Sequence, residues 1–488
     1  MPALMATVVC VALVTSSTAL TQSDGDLLAH IALGRRILQT GIPAPVTPAW
    51  GAAMLLALLD RAGGLSLIAA GVAILAAFTH AMLLDVVLQR SVPLRIALPT
   101  AMLGVVFAAS HWLARPHAFT IAASAMLIVL LARGDRGDRG QGMDRRASLA
   151  IPPLFALWAN LHGGWSFGLI LVACYAMARR TRPSLLLLIA SALATGLTPF
   201  GVRLHLAVLQ TLRDATIARV INEYQPPSLD HPQDLLFLVT LAIAAVALLR
   251  TVSRAAARPT IWALLVIIVS AAAALRAGRN IALFAVTGWP LLVMSLAPRS
   301  AITASPVPPP PSGRWPIPMA IAAAGLLLGV LGGQAIGIPA IRTPVSPTRF
   351  PVGAVQAVQR ANLTAPVLTT WAWSGYVPYA WPGRRAFFNP LAFTPAEVRA
   401  LGRLLLAQPG WRRTLDSLAI GLAILPPDAP LADSLRAEPT WPAWYRDPTA
   451  TVFERRAPPP TEAHAIGPRT SAGGVVRTRT SPRPKAAD

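Results

Sequence analysis

Charge is the scarcest property of this sequence: of 488 residues only 13% are charged while 54% are hydrophobic, against about a quarter charged in ordinary soluble domains. Together with a mean hydropathy of +0.56, that excludes a soluble enzyme. Acids are scarcer than bases, 20 against 42, and Glu223 is the only glutamate before residue 335. Cysteine is nearly absent. Cys10 and Cys174 both sit in apolar runs, where a thiol behaves as a small hydrophobe, so neither a disulfide framework nor a cysteine metal site can be built. No Ser-His-Asp order, phosphate-binding Gly-rich loop or zinc motif appears. No Lys or Arg precedes Arg35; the basic start of a cleaved signal peptide is missing, and the first apolar run is expected to stay as a membrane span.

What the sequence has in abundance is apolar runs. They fall at 3–20, 64–87, 96–113, 117–132, 147–161, 164–178, 184–200, 235–249, 260–276, 279–297 and 315–335, each near the length of about 20 residues that crosses a bilayer. That predicts eleven transmembrane helices. The stretch 48–60 is too short and reads as an interfacial or re-entrant helix. With it left out, the basic loops at Arg90 and Arg95, Arg133 to Arg146, Arg179 to Arg182, Arg250 to Arg258, and Arg299 and Arg314 all fall on one side, as the positive-inside rule requires. The net charge of +22 is therefore an orientation signal, and no nucleic-acid partner is expected. The N-terminus is expected in the cytoplasm and everything after 335 outside.

This topology collects a different class of residue in the outward loops: Asp24, Asp26 and His30; Arg115 and His117; Asn160 and His162; Arg203, His205, Asn222, Glu223 and Gln225; and Arg276, Arg279 and Asn280. After the Pro-rich linker 303–313 the composition changes. Helical stretches at Val352–Arg360, Pro395–Ala407 and Leu431–Ala437 alternate with strand-like Val367–Thr370, Leu422–Leu425 and Thr451–Glu454 and an apolar Ala386–Phe388, the pattern of a small α/β domain. The predicted organisation is an all-α polytopic membrane domain over 1–335, a periplasmic α/β domain over 350–456, and a basic, Pro- and Ser/Thr-rich disordered tail over 457–488.

The scarce polar groups carry the chemistry. Asp24 and Asp26, two residues apart in a loop, can converge on a divalent cation such as Mg or Mn, or one can act as general base for an acceptor hydroxyl while the other orients it. The plainer alternative is a solvated loop capping a helix over Leu27–Leu38. Glu223, in the polar turn Asn222-Glu223-Tyr224-Gln225-Pro226, is either an exposed loop acid or an acid that orders outer-face arginines or binds sugar hydroxyls. Arg115, Arg276 and Arg279 either snorkel to lipid headgroups or grip a phosphate through the bidentate guanidinium fork. His162 sits in Trp158-Ala159-Asn160-Leu161-His162-Gly163-Gly164-Trp165, where paired glycines allow close backbone approach; it is either part of a connecting turn or a hydrogen-bonding group for phosphate or sugar.

Taken in chain order, these blocks resemble the bacterial GT-C-type integral membrane glycosyltransferases, related to protein O-mannosyltransferases and aminoarabinose transferases. Asp24-Gly25-Asp26 followed by His30, Gly34, Ile37, Leu38 and Gly41 looks like the acidic first outer loop and interfacial helix of that family. Arg115-Pro116-His117, Trp158 to Gly164, Thr198-Pro199-Phe200-Gly201, Asn222 to Gln225 and Arg279-Asn280 look like its later blocks, over roughly residues 1 to 300. The resemblance implies an inverting enzyme of the bacterial inner membrane. Its donor would be a polyprenyl-phosphate sugar and its acceptor a glycan, lipid or protein, with membrane lipids around it; no cofactor is certain, a divalent cation (Mg or Mn) being the one candidate. Asp24 or Asp26 would be the base. His30, Arg115, His117, Asn160, His162, Asn222, Glu223, Arg276 and Arg279 would contact substrate. Phe388-Asn389-Pro390 stands where relatives suggest an Asp-Gly-Arg-like turn. Two other classes share parts of the pattern: a carrier or flippase for a lipid-linked oligosaccharide, and a non-catalytic scaffold of a cell-envelope polysaccharide assembly complex. A carrier should place its polar groups near the bilayer midplane, whereas here they gather at one face.

Overall fold

Long apolar stretches that satisfy their backbone internally must coil as helices in a membrane, and the computed structural model is mostly helical. It describes residues 25–41, 46–134, 144–213, 222–253, 260–297 and 345–456. Asp24, the expected spans 3–20 and 315–335 and the tail 457–488 lie outside the described residues. The remaining apolar runs lie in α2 Trp50–Gln89, α3 Leu94–Ala108, α4 His117–Gly134, α5 Arg145–Leu161, α6 Trp165–Arg179, α7 Arg182–Ala194, α9 Pro232–Ser253, α10 Ile261–Arg276, and α11 Ile281–Val286 with α12 Gly288–Leu296. Among the described residues up to 297, the α-helices α1 Gly25–Thr40 and α8 Val202–Arg213 lie outside those runs.

Among the described residues three helices are long and apolar enough to cross a membrane: α2, the unit Leu94–His111, and α9. The pair Gly278–Val286 and Gly288–Leu296, bent by 48°, makes a fourth if it is one span. α4, α6, α7 and α10 are apolar but shorter, so helix length carries the membrane character and not the expected number of eleven. α7 and α9 also present exposed Leu186, Leu193, Ile243 and Leu249, an apolar surface of the kind that meets lipid. The first part of α2 is set apart by a break, with Gly63 at φ −154° and Gly64 at φ 62°. That left-handed backbone costs glycine little, and it makes the stretch omitted from the span count a separate rod packed on α1. At one end of α2, Asp85 accepts from Gln89 at 2.5 Å and pairs with Arg133 at 3.5 Å, fastening α2 to α4.

The C-terminal unit holds a four-stranded sheet, β1 Val367–Thr369, β2 Leu422–Leu425, β3 Ala443–Arg446 and β4 Thr451–Glu454, in the order β1-β2-β4-β3. β1 and β2 are parallel, with Val367 opposite Leu422; the other pairs are antiparallel. Alternation along the strands divides its two faces. Leu368, Ala423, Leu425 and Phe453 join a core with α16 Pro395–Leu405, α17 Trp411–Ser417 and α18 Pro430–Arg436. Val367, Leu422, Ile424 and Val452 point the other way, toward α13 Val352–Arg360, α14 Trp371–Ser374 and α15 Tyr376–Ala380. That second core is continuous with Leu27, Leu28 and Ile31 of α1 and with the helices beneath. Phe388-Asn389-Pro390 follows a bridge of Ala386 to Val367, and the Asn389 side chain accepts from the Leu391 amide at 3.1 Å.

Candidate functional site

The short connections at one end of the helical bundle bring most of the predicted residues together. Asp26 lies in the first turn of α1. Because Gly25 is already helical, Asp26 is inside α1 and does not cap it. Arg115 precedes α4, and Glu223 sits in the one-turn helix Asn222–Tyr224. The Arg115 guanidinium donates to Glu223 Oε1 at 2.9 Å, and the same nitrogen lies 3.3 Å from Asp26 Oδ2. One guanidinium therefore ties the start of α1 to a turn some two hundred residues later in the chain. All three side chains remain partly exposed, as a substrate-facing group must.

Arg279, in the turn Gly278–Asn280, lies over the Tyr224 ring with its guanidinium carbon 4.5 Å from the ring centre. This turn is fixed by Gly278 N–H donating to the Gln225 carbonyl at 2.8 Å and by the Asn280 amide donating to the Ala273 carbonyl at 3.0 Å. Stacking on a ring face holds a guanidinium while leaving its N–H fork in plane for an anion. Arg276 is exposed in the last turn of α10, where the helix dipole alone favours a cation.

Histidines fill the space between. His117 stands with its ring centre 5.7 Å from that of His162 and 6.2 Å from that of His111. Both ring nitrogens of His117 and Nδ1 of His30 are buried without a hydrogen-bond partner among the described residues. His162 is built in. The Trp158 indole donates to Thr120 Oγ1 at 2.8 Å, and Thr120 Oγ1 is 2.7 Å from His162 Nδ1, which also accepts the Gly164 amide at 3.2 Å. Because the Gly164 amide donates to Nδ1, that nitrogen carries no proton and accepts from the Thr120 hydroxyl as well, which leaves the His162 proton on Nε2. A Cβ on Gly164 would collide with Thr120, so the glycine expected to permit close approach does so here.

Asn160 has a different task. Its carbonyl accepts from the Trp50 indole at 3.1 Å and its amide donates to the carbonyls of Ala156 at 2.8 Å and Leu197 at 2.9 Å, a strut between α2, α5 and the turn after α7. Asn222 belongs to the same one-turn helix as Glu223. His205, beyond the cluster, faces the Trp165 ring at 4.7 Å and meets Thr195 at 2.8 Å. Sequence reasoning passed over His111 and Thr120 and gave Tyr224 no role of its own. His111, six residues before His117 and flanking Arg115, carried a signal in its spacing; the roles of Thr120 and Tyr224 follow only from the fold. Among the described residues no three His, Cys, Asp or Glu are placed to hold a metal ion.

Burial, and then the Arg115 charge, lowers the His30 pKa to about 3. Burial, then Arg279 and His30, lowers that of His162 to about 3. Both are neutral at physiological pH. In the unfolded chain histidine titrates near pH 6.5. Below that the unfolded chain binds more protons than the folded one, so stability is full above about pH 6.5 and is lost as pH falls. The melting temperature of the detergent-solubilised protein is expected to drop between about pH 7 and about pH 5, and less so in His162→Gln. A flat profile over this window would remove the buried neutral histidines from the site.

No family model matches the sequence, and no curated protein matches it. Solved structures do match. The archaeal oligosaccharyltransferase AglB from Archaeoglobus fulgidus, in complex with an inhibitory peptide and a dolichol-phosphate, aligns over 86% of this chain and 69% of its own at 11% identity and a TM-score of 0.51. The arabinofuranosyltransferase AftD from Mycobacteria aligns over 93% of this chain at 12% identity and a TM-score of 0.51, and this chain spans 40% of its length. ArnT from Cupriavidus metallidurans, bound to undecaprenyl phosphate, aligns over 92% of this chain and 97% of its own at 14% identity and a TM-score of 0.49. The fold is that of the GT-C-type membrane glycosyltransferases.

Proposed function

We propose that this protein is an inverting glycosyltransferase that moves a sugar from a polyprenyl-phosphate donor to an acceptor hydroxyl at the outer face of the bacterial inner membrane. The observation that supports it most is the juxtaposition of Asp26, Arg115 and Glu223 with Arg279 and a row of histidines at one end of the bundle. Attack on the anomeric carbon requires the acceptor hydroxyl to lose a proton, while the departing lipid phosphate is already a stable anion; a base is needed more than an acid. Asp24, beside this cluster in sequence, takes that proton as the new C–O bond forms. The electron pair of the breaking C1–O bond leaves with the phosphate, where Arg279 stabilises the charge. Asp26 and Glu223 hold Arg115, which fixes the acidic loop. The unpaired nitrogens of His117 and His30 supply hydrogen-bonding positions for sugar or phosphate oxygens. AglB, solved in complex with a dolichol-phosphate, is compatible with a donor of this class.

Purified protein incubated with radiolabelled polyprenyl-phosphate sugars and membrane-extract acceptors is expected to release lipid phosphate and label an acceptor. Failure with every donor, alongside vesicle-to-vesicle movement of the intact lipid, would make it a carrier instead. The proposed orientation places residues 350–456 in the periplasm. Alkaline phosphatase fused at residue 400 is expected to be active and fused at residue 140 inactive; the reverse pattern would turn the protein over in the membrane.

A further inference from the structure

The C-terminal unit does not stand clear of the site: α14 and α15 lie on α1, the helix that begins at Gly25, one residue before Asp26. Two glycines make the contact. A Cβ on Gly25 would collide with the Ala372 carbonyl of α14, and a Cβ on Gly375, between α14 and α15, would collide with the Gly25 carbonyl oxygen and lie 2.9 Å from Ala29 Cβ. Backbone meets backbone with no side chain between. Nearly three turns on from Gly25, Arg35 of α1 donates to the Tyr379 carbonyl at 2.9 Å, stacks over the Tyr379 ring at 4.5 Å and pairs with Asp60 of α2 at 2.6 Å. The Tyr379 hydroxyl points at the same carboxylate, 3.5 Å away. Leu27, Leu28 and Ile31 share one buried core with Trp373, Tyr376 and Val377. Within the C-terminal unit, Trp373 donates to the Arg349 carbonyl at 2.7 Å and Gln359 to the Ala380 carbonyl at 3.1 Å, so the docking helices are tied to the body that carries the sheet.

From these contacts we infer that the C-terminal domain is a clamp on the first turns of α1, with Gly375 and Tyr379 as positioning residues that set where Asp26, and the pair it makes with Arg115, stand relative to the membrane helices. The effect on catalysis rests on the function proposed above; the clamp itself does not. Gly375 separates docking from local folding. Its φ of −78° and ψ of −27° are helical, so alanine there suits the local backbone better than glycine does. Any damage from Gly375→Ala therefore comes from the docking contact and not from the domain's own folding.

Hydrogen–deuterium exchange on the full-length protein in detergent reads this directly. In Gly375→Ala, amides of 27–40 are expected to exchange at least several-fold faster while those of the strands 422–425 and 451–454 keep their protection. Tyr379→Ala, which leaves the glycine contact in place, gives a smaller change in the same segment. Turnover should fall by roughly 10- to 100-fold, the scale of a displacement of about 1 Å at a reacting group, with donor KM within about twofold. Unchanged exchange over 27–40 in Gly375→Ala overturns the clamp, as does faster exchange that spreads through the strands in both variants. If exchange responds as expected but the wild type transfers no sugar, the glycosyltransferase reading fails and the clamp stands.

Discussion

Asp24→Asn is expected to lower sugar transfer by about 10²- to 10⁴-fold, the usual contribution of a positioned general base, with donor binding and fold retained. The choice of Asp24 over Asp26 as base follows from what Asp26 already does. Its carboxylate lies 3.3 Å from the Arg115 guanidinium that also meets Glu223, and a lone pair directed at a cation is not available to an acceptor proton. A carboxylate in that position orients; it is the wrong one to ask for proton transfer. Asp26→Asn keeps an oxygen for Arg115 and should cost less, roughly tenfold, and the loss should grow in Asp26→Ala. Normal turnover in Asp24→Asn with a dead Asp26→Asn would exchange the two roles. Full activity in both would take the first outer loop out of the chemistry.

The site was legible one residue at a time because acids and polar groups are so rare in this chain. Glu223 stood out as the only glutamate before residue 335, and it does reach Arg115. What a single sequence could not show is which residues share a partner: Arg115 and Glu223 are 108 positions apart, and no local pattern encodes such a pairing. Arg115 looked like one of three equivalent phosphate ligands; the fold separates it, engaged by two carboxylates, from Arg279 on its tyrosine and from exposed Arg276. In the C-terminal unit the helix Val352–Arg360 and the strands Leu422–Leu425 and Thr451–Glu454 have the bounds expected of them, since buried apolar residues define each. β3 was missed for the opposite reason. Ala443–Arg446 is largely exposed and follows Pro442, so it shows no alternation; pairing with β4 alone makes it a strand. The short helices of the docking surface were missed as well, being set by contact with α1 and not by any periodicity of their own.

Arg279 and Arg115 should fail in different ways. If Arg279 grips the lipid phosphate, Arg279→Ala removes a hydrogen bond to a charged group, about 1.5–3 kcal/mol, which weakens donor binding by roughly 10- to 150-fold. Thermal stability should change little, because the side chain rests on Tyr224 from a partly exposed position. Arg279→Lys should recover only part of the affinity, for an ammonium neither stacks on the ring so well nor offers the two-pronged fork. Arg115→Ala is different, since it leaves the Asp26 and Glu223 carboxylates facing one another without the cation that both approach. Like charges at that spacing repel, so this variant should lose melting temperature and turnover together. Adding Glu223→Gln should restore stability by removing the repulsion, without restoring turnover. Donor affinity measured by titrating a fluorescent polyprenyl phosphate separates the two residues. Unchanged affinity in Arg279→Ala would return that arginine to a lipid-headgroup anchor, and a stable, active Arg115→Ala would dissolve the three-residue centre on which the proposed acidic loop depends.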